Sequence, residues 1–198
     1  CKNGTDLLLE LPEGHIWLGG EESSKDGTIF NANIPTEEVF SAPQYNGVNG
    51  IVYSTKPLIY QGNTISDFSF TFKEGKIVDY TAKEGYEVLK ELIETDEGSL
   101  YLGEVALVDH FSPISQSNQI FYETLFDENA SCHLAIGASY PTCLKDSDGL
   151  SEEELKERGL NYSLTHVDFM IGHEHMNIKG YTRDGQEVDI MIDGRLQV

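Results

Sequence analysis

The sequence predicts an α+β domain: a mainly antiparallel β-sheet or barrel-like core with a few short helices. Three observations predict it. Short segments that are β-branched, aromatic or alternating recur along the chain, and turns containing Gly, Pro or Asp-Gly separate them. Only two stretches carry helix signals. Strand follows strand without the regular helical crossovers that a parallel sheet requires. With 198 residues, 39% of them apolar and 10% aromatic, the chain can bury a sizeable core. No repeat, low-complexity run or Pro/Ser-rich linker divides it, so residues 1–198 read as one domain.

The elements follow in order. DLLLEL (6–11) and HIWLG (15–19) flank a Pro-Glu-Gly turn and read as strands, with Trp17 assigned to the core. In NIPTEEVFSAP (33–43), Glu37 and Glu38 follow Pro35-Thr36 and fit the first turn of a helix, where acids complement the dipole. IVYSTKPLIY (51–60) is a strand pattern. ISDFSFTFK (65–73) and KIVDY (76–80) form a hairpin across a Glu-Gly turn. Thr81-Ala-Lys-Glu84 is a capping-box pattern, and Val88, Leu89, Leu92 and Ile93 supply an apolar stripe before Gly98. LYLGEVALV (100–108) and SLTHVDFMI (163–171) read as strands. Ser151-Glu-Glu-Glu154 opens a second helix that stops at Gly159, and a strand pair surrounds Asp184-Gly185.

Charge narrows the function. The net charge is −21, from 34 acidic and 13 basic side chains. Nucleic acid and anionic membranes, which need Lys and Arg, are poor partners for such a chain. Metal ions, ammonium groups and basic peptides suit it, and so does a merely solubilising role for the acids. No apolar run approaches the ~20 residues that span a bilayer. Three cysteines, Cys1, Cys132 and Cys143, make no disulfide framework, and a reducing, cytoplasmic setting is expected. Strand-like sequence follows Cys1 at once, which reads as a piece of a longer protein.

Four places set acids or histidines among apolar residues: Glu37-Glu38, Glu104, the stretch Phe121–Tyr140, and His166 with Asp168. On a strand, residues two apart share a face roughly 7 Å apart, so His166 and Asp168 project together while Val167 and Phe169 face the core. Two N/O ligands on one strand suit a transition metal; a solvated surface pair is the plainer alternative. Glu104 is the one charge in nine residues and needs an edge, a cation or a metal. Glu128 and His133, five residues apart, can share a site only across a turn. His173 and His175 have ligand-like spacing but lie in a polar loop, and Cys132 reads as a small buried thiol. There is no phosphate-cradling glycine loop, no HExxH and no GxSxG.

Longer segments carry a resemblance. TDLLLELPEGHIWLGG, FNANIPTEEVFSAP, TDEGSLYLGEVALV, SPIS, FYETLFDENASCHLAIGASY and HVDFMIG, in order along nearly the whole chain, resemble the C-terminal catalytic half of the thermophilic metallopeptidase family, that of aminopeptidases T and S. The resemblance implies two divalent ions (Zn, Co or Mg) held by Glu38, Glu104, Glu128, His133, His166 and Asp168, with Glu104 a candidate bridge. It also implies that Tyr140 is the catalytic tyrosine. Glu37, beside Glu38, is the expected general base. The implied activity is release of N-terminal residues from peptides with a free N-terminus by a water activated between two metals, with a homodimer expected for the full-length protein. Four ligand carboxylates would match the charge of two divalent cations, so the acids of Phe121–Tyr140 are expected to be metal-neutralised. The alternative is a non-enzymatic divalent-cation-binding β module. Its Ca²⁺ form would want oxygen ligands rather than His133 and His166.

Overall fold

The computed structural model describes residues 3–34 and 36–197; Cys1 and Pro35, both used in the sequence reading, lie outside the described residues. A five-stranded sheet runs in the order β13 (His166–Met170), β12 (His133–Gly137), β11 (Leu102–Leu107), β5 (Val39–Ser41), β2 (Leu18–Gly19). A four-stranded sheet runs β1 (Asp6–Leu9), β6 (Val48–Tyr53), β9 (Ser69–Lys73), β10 (Lys76–Thr81). Three further strands, β14 (Ile178–Tyr181), β15 (Glu187–Ile192) and β16 (Arg195–Leu196), form a third sheet. Two hairpins, β3 (Glu21–Ser23) with β4 (Ile29–Asn31) and β7 (Leu58–Tyr60) with β8 (Asn63–Ile65), complete the β structure. Among the described residues every strand pair is antiparallel. The sheets do not close into a barrel, so the open-sheet form of the expected fold is the one adopted.

The period-two alternation of β11, β12 and β13 divides the larger sheet into two faces. Val105, Leu134 and Phe169 lie in register across the three strands, and with Ile136 and Val167 they face the main core. There Phe169 meets Phe70 and Phe68, ring centroids 5.3 and 5.7 Å away, at the inner side of the four-stranded sheet. Helix α1 (Tyr86–Ile93) adds Leu89, Leu92 and Ile93 to the same cluster. Each such side chain contributes about 1.5–3 kcal/mol of burial. The opposite face is where Glu104, Ala135 and Asp168 stand in one row.

Several local expectations need correction. Thr81 does not cap α1. It ends β10 opposite Ser69, and the two hydroxyls hydrogen bond at 2.8 Å, so sheet pairing overrides the capping-box pattern. The helix begins after Gly85, whose φ of 74° suits glycine. Thr36 to Glu38 form no helical turn. The Thr36 hydroxyl accepts from the Glu38 N–H, and the chain then enters β5, which pairs with β11. IVYSTKPLIY splits into β6 and β7 around Thr55–Pro57. HIWLG keeps only Leu18–Gly19 as strand, and Trp17 is 36% exposed rather than core. The helix at Ser151 forms as expected: α4, after the short α2 (Pro113–Gln116) and α3 (Thr124–Asp127), spans Glu152–Glu157 with a full capping box. Cys132 and Cys143 are buried free thiols. Among the described residues no helix is long and apolar enough to cross a membrane.

Candidate active site

On the face of the large sheet turned from the core, three strands converge. Glu104 (β11) and Asp168 (β13) stand on either side of Ala135 (β12) in direct register. His133, two residues before Ala135, and His166, opposite Gly137, point the same way. The middle strand thus offers small residues where the flanking strands offer ligands. A β-bulge between Leu102 and Glu104 aims the latter. At its centre sits Gly103, where an added Cβ would lie 2.2 Å from the Ala138 carbonyl oxygen and 2.4 Å from that of Gly137. Two further acids come from outside these strands: Glu38 from the approach to β5, and Glu128 from the 3-10 turn Glu128–Ala130 that leads into β12.

Three overlapping groups place ligand atoms within 4.8 Å of one another: Glu38, Glu104 and His133; Glu104, His166 and Asp168; Glu128, His133 and Asp168. His133 Nε2 lies 3.3 Å from Glu104 Oε1 and 3.8 Å from Glu38 Oε1. His166 Nε2 lies 3.7 Å from Glu104 Oε2 and 3.6 Å from Asp168 Oδ1. Both imidazoles are held from behind: Nδ1–H of His133 donates to the Ser131 carbonyl at 2.9 Å, and that of His166 to the Ala138 carbonyl at 2.7 Å. With Nδ1 so engaged, Nε2 is the nitrogen turned to the carboxylates, the arrangement by which proteins present histidine to a metal. Asp168 Oδ1 is buried without a hydrogen-bond partner, which an ion among these groups would supply.

The electrostatics point the same way. Burial pushes the Glu128 carboxyl up, and Asp168 adds to it, to about 9. Burial likewise raises Glu38, opposed by His133 and reinforced by Glu104 and Asp168. For His133 burial works against the charge, but the Glu104 hydrogen bond and the surrounding carboxylates drive its pKa up to about 10. His166 behaves alike: burial opposes, Asp168 and Glu104 prevail, and the value reaches about 9. Asp168, despite its burial, is held below the ordinary range by His166 and His133. No Lys or Arg is among the described residues lining the cleft. The mixed O and N donors fit a divalent transition metal.

The cleft over these residues has a volume of about 890 Å³. Leu18, Phe40, Tyr60 and Leu125 provide apolar wall, and Glu21 and Glu22 of the β3–β4 hairpin stand on its lining. Tyr140 also lines it, with its ring 4.7 Å from that of His166. Burial, then the charges of Glu104, Asp168 and Glu128, raise the phenol to about 12, so it keeps its proton near neutral pH.

A family model described as thermophilic metalloprotease (M29) matches residues 1–196. The chain belongs to that family. It is similar to Aminopeptidase 2 of Geobacillus stearothermophilus, 56% identical over 191 residues that make up 96% of this chain and 46% of that protein. It is also similar to Aminopeptidase T of Thermus thermophilus, 44% identical over 97% of this chain and 47% of that one. A solved structure described as wild-type AmpT from Thermus thermophilus superposes with a TM-score of 0.92 at 44% identity, covering 98% of this chain and 48% of that one. The M29 chain described here thus spans about half the length of the relatives it matches.

Of the eight residues expected from the sequence, seven meet at the cleft: Glu38, Glu104, Glu128, His133, Tyr140, His166 and Asp168. Glu37 does not. It is exposed and absent from the cleft lining. Within Phe121–Tyr140 the acids divide. Asp127 accepts from the backbone N–H groups of Phe121 (2.7 Å) and Glu123 (3.2 Å), and Glu123 is exposed, so neither needs metal neutralisation. His173 and His175 join none of the three groups; His175 faces Glu174 and Asp193 instead. Missed from the sequence is Asn33, whose Nδ2 donates to Glu128 Oε1 at 2.7 Å. An Asn in a turn-rich segment, 95 residues from its partner, gives no single-sequence signal.

Proposed function

We propose that this chain is the catalytic part of a metal-dependent aminopeptidase that binds two divalent ions and cleaves the first peptide bond of a substrate with a free N-terminus. The observation that carries the reading is the convergence of four carboxylates and two imidazoles, in three groups that share Glu104, His133 and Asp168, at the floor of a cleft wide enough for a peptide end. Glu38, Glu104, Glu128, His133, His166 and Asp168 would hold the ions, with Glu104 the candidate bridge because it turns one oxygen toward His133 and the other toward His166. Ions bound there would supply Lewis acidity and a water of lowered pKa.

The chain's own groups do the rest. Tyr140 keeps its proton and can donate to the oxyanion that forms as water adds to the scissile carbonyl. Glu37 is proposed to accept the water's proton, by its adjacency to Glu38; from its exposed position the 36–38 loop would have to turn it inward. The net charge of −21 and the acids lining the cleft favour a cationic peptide end. The imidazoles turned into the cluster disfavour the Ca²⁺-binding β module, whose metal prefers oxygen.

The test is hydrolysis of aminoacyl-nitroanilides by this chain and by the full-length protein, with chelator and with added Zn²⁺, Co²⁺ or Mg²⁺, alongside metal analysis. Expected are two ions per chain, metal-dependent turnover in the full-length protein, and loss of both metal and turnover in Glu104→Gln. A protein that binds no stoichiometric metal, or a Glu104→Gln variant that keeps both ions, sinks the reading.

A further inference from the structure

The two carboxylates supplied from outside the central strands pose a problem of placement. Glu38 lies on the loop before β5, and Glu128 on the turn after α3. They fall in different ligand groups, which meet only through His133. One side chain spans the gap between their segments. Asn33, in the loop that leads to Glu38, turns its amide across the cleft, and Nδ2 makes two short hydrogen bonds, to the Leu125 carbonyl at 2.7 Å and to Glu128 Oε1 at 2.7 Å. An amide nitrogen has two hydrogens, so both bonds can be full ones.

The loop itself is braced from within. Asn33 N–H donates to Asn31 Oδ1 at 3.1 Å, Ile34 N–H to Asn33 Oδ1 at 2.7 Å, and Glu38 N–H to Thr36 Oγ1 at 3.1 Å. The Leu125 carbonyl also accepts from Asn129 Nδ2 at 2.9 Å, which anchors α3 on the other side. Asn33 is thus a rigid donor aimed at one oxygen of Glu128. With Oε1 engaged by Asn33, Oε2 is the atom left to meet a cation.

We infer that Asn33 is a positioning residue for the metal centre: held by the Leu125 carbonyl, its amide orients Glu128 as a ligand. The inference rests on the metal-binding reading above. Hydrogen-bonding partners behind metal ligands are typically worth 10–100-fold in metal affinity. The lost affinity should fall on one ion, the one that Glu128 serves, and leave the other unchanged.

Calorimetric titration of the metal-free full-length protein with Zn²⁺, and its visible absorption with Co²⁺, read this directly. Asn33→Ala should weaken one of two binding steps by about 10–100-fold, alter the Co²⁺ spectrum of that step, and recover turnover when metal is raised to saturation. In a Glu128→Ala background the same change should add no further loss, because the acceptor it orients is gone. Wild-type affinity in Asn33→Ala, or losses that simply add in the double variant, would overturn the inference while leaving the metal centre intact. A wild-type protein that takes up no metal would overturn the functional reading and this inference with it.

Discussion

Substituting alanine for Gly103 tests whether the bulge in β11 is what aims Glu104. The added Cβ would sit 2.2 Å from the Ala138 carbonyl oxygen, whereas ordinary contact starts at 3.4 Å, a shortfall of 1.2 Å. Both nearest atoms are backbone carbonyl oxygens of β12 and its continuation, so no flexible side chain can yield. The strands must part there, and Glu104, the next residue, must move with them. Overpacking of this kind costs typically about 1–3 kcal/mol, which a domain of this size can survive. A catalytic group displaced by about 1 Å can lose on the order of a hundredfold in rate. Thermal melts, metal analysis and nitroanilide hydrolysis on Gly103→Ala should therefore show a folded protein with a modestly lowered Tm, weakened metal uptake, and kcat/KM down about a hundredfold. A variant that melts lower yet keeps full metal content and turnover would refute the reasoning, since the bulge would then be dispensable for aiming Glu104.

Other expectations are quicker to state. Tyr140→Phe should reduce kcat by about 10²–10³-fold with metal content unchanged; undiminished turnover would remove the phenol from the chemistry. Asp96 binds the Leu164 N–H and both Ser99 and Ser163, and despite partial burial these bonds hold its carboxyl below the ordinary range. Its contribution should be present above the unfolded value of about 3.9 and fade as pH falls toward the lower folded value. Asp96→Asn should thus cost about 1–3 kcal/mol in denaturant melts at pH 7 and progressively less as pH falls below the unfolded value; a cost independent of pH would show that the charge is not what matters. Burial pushes the thiols of Cys132 and Cys143 up to about 11 and about 12. Both should resist DTNB at pH 8 until the chain is unfolded, and rapid native labelling of Cys132, mapped by mass spectrometry, would contradict its packing.

The sequence made the site more legible than its supports. Alternation in HVDFM placed His166 and Asp168 on one face and Phe169 in the core, because a strand buried on one side leaves that pattern. Glu104 stood out because a lone acid in an apolar strand needs a partner. The segment from Thr81 to Glu84 misled, since pairing of Thr81 with Ser69 is a tertiary contact invisible to a four-residue pattern. Asp127 misled for the opposite reason: a buried acid can be satisfied by nearby backbone N–H groups, and no cation is required. Glu37 and Glu38 are neighbours in sequence yet only Glu38 reaches the cleft, as extended backbone sends successive side chains apart. The bracing by Asn33 depends on loop geometry, which periodicity does not encode.

The division of labour within the cleft has an evolutionary corollary. Its floor is made by β11, β12 and β13, whose far side packs into the main hydrophobic core, so drift there would unseat both. Parts of its walls come from the β3–β4 and β7–β8 hairpins, pieces that can lengthen, shorten or change character without moving the strands beneath. Descendants of such a scaffold can therefore diversify in what the cleft admits while inheriting the donors on its floor.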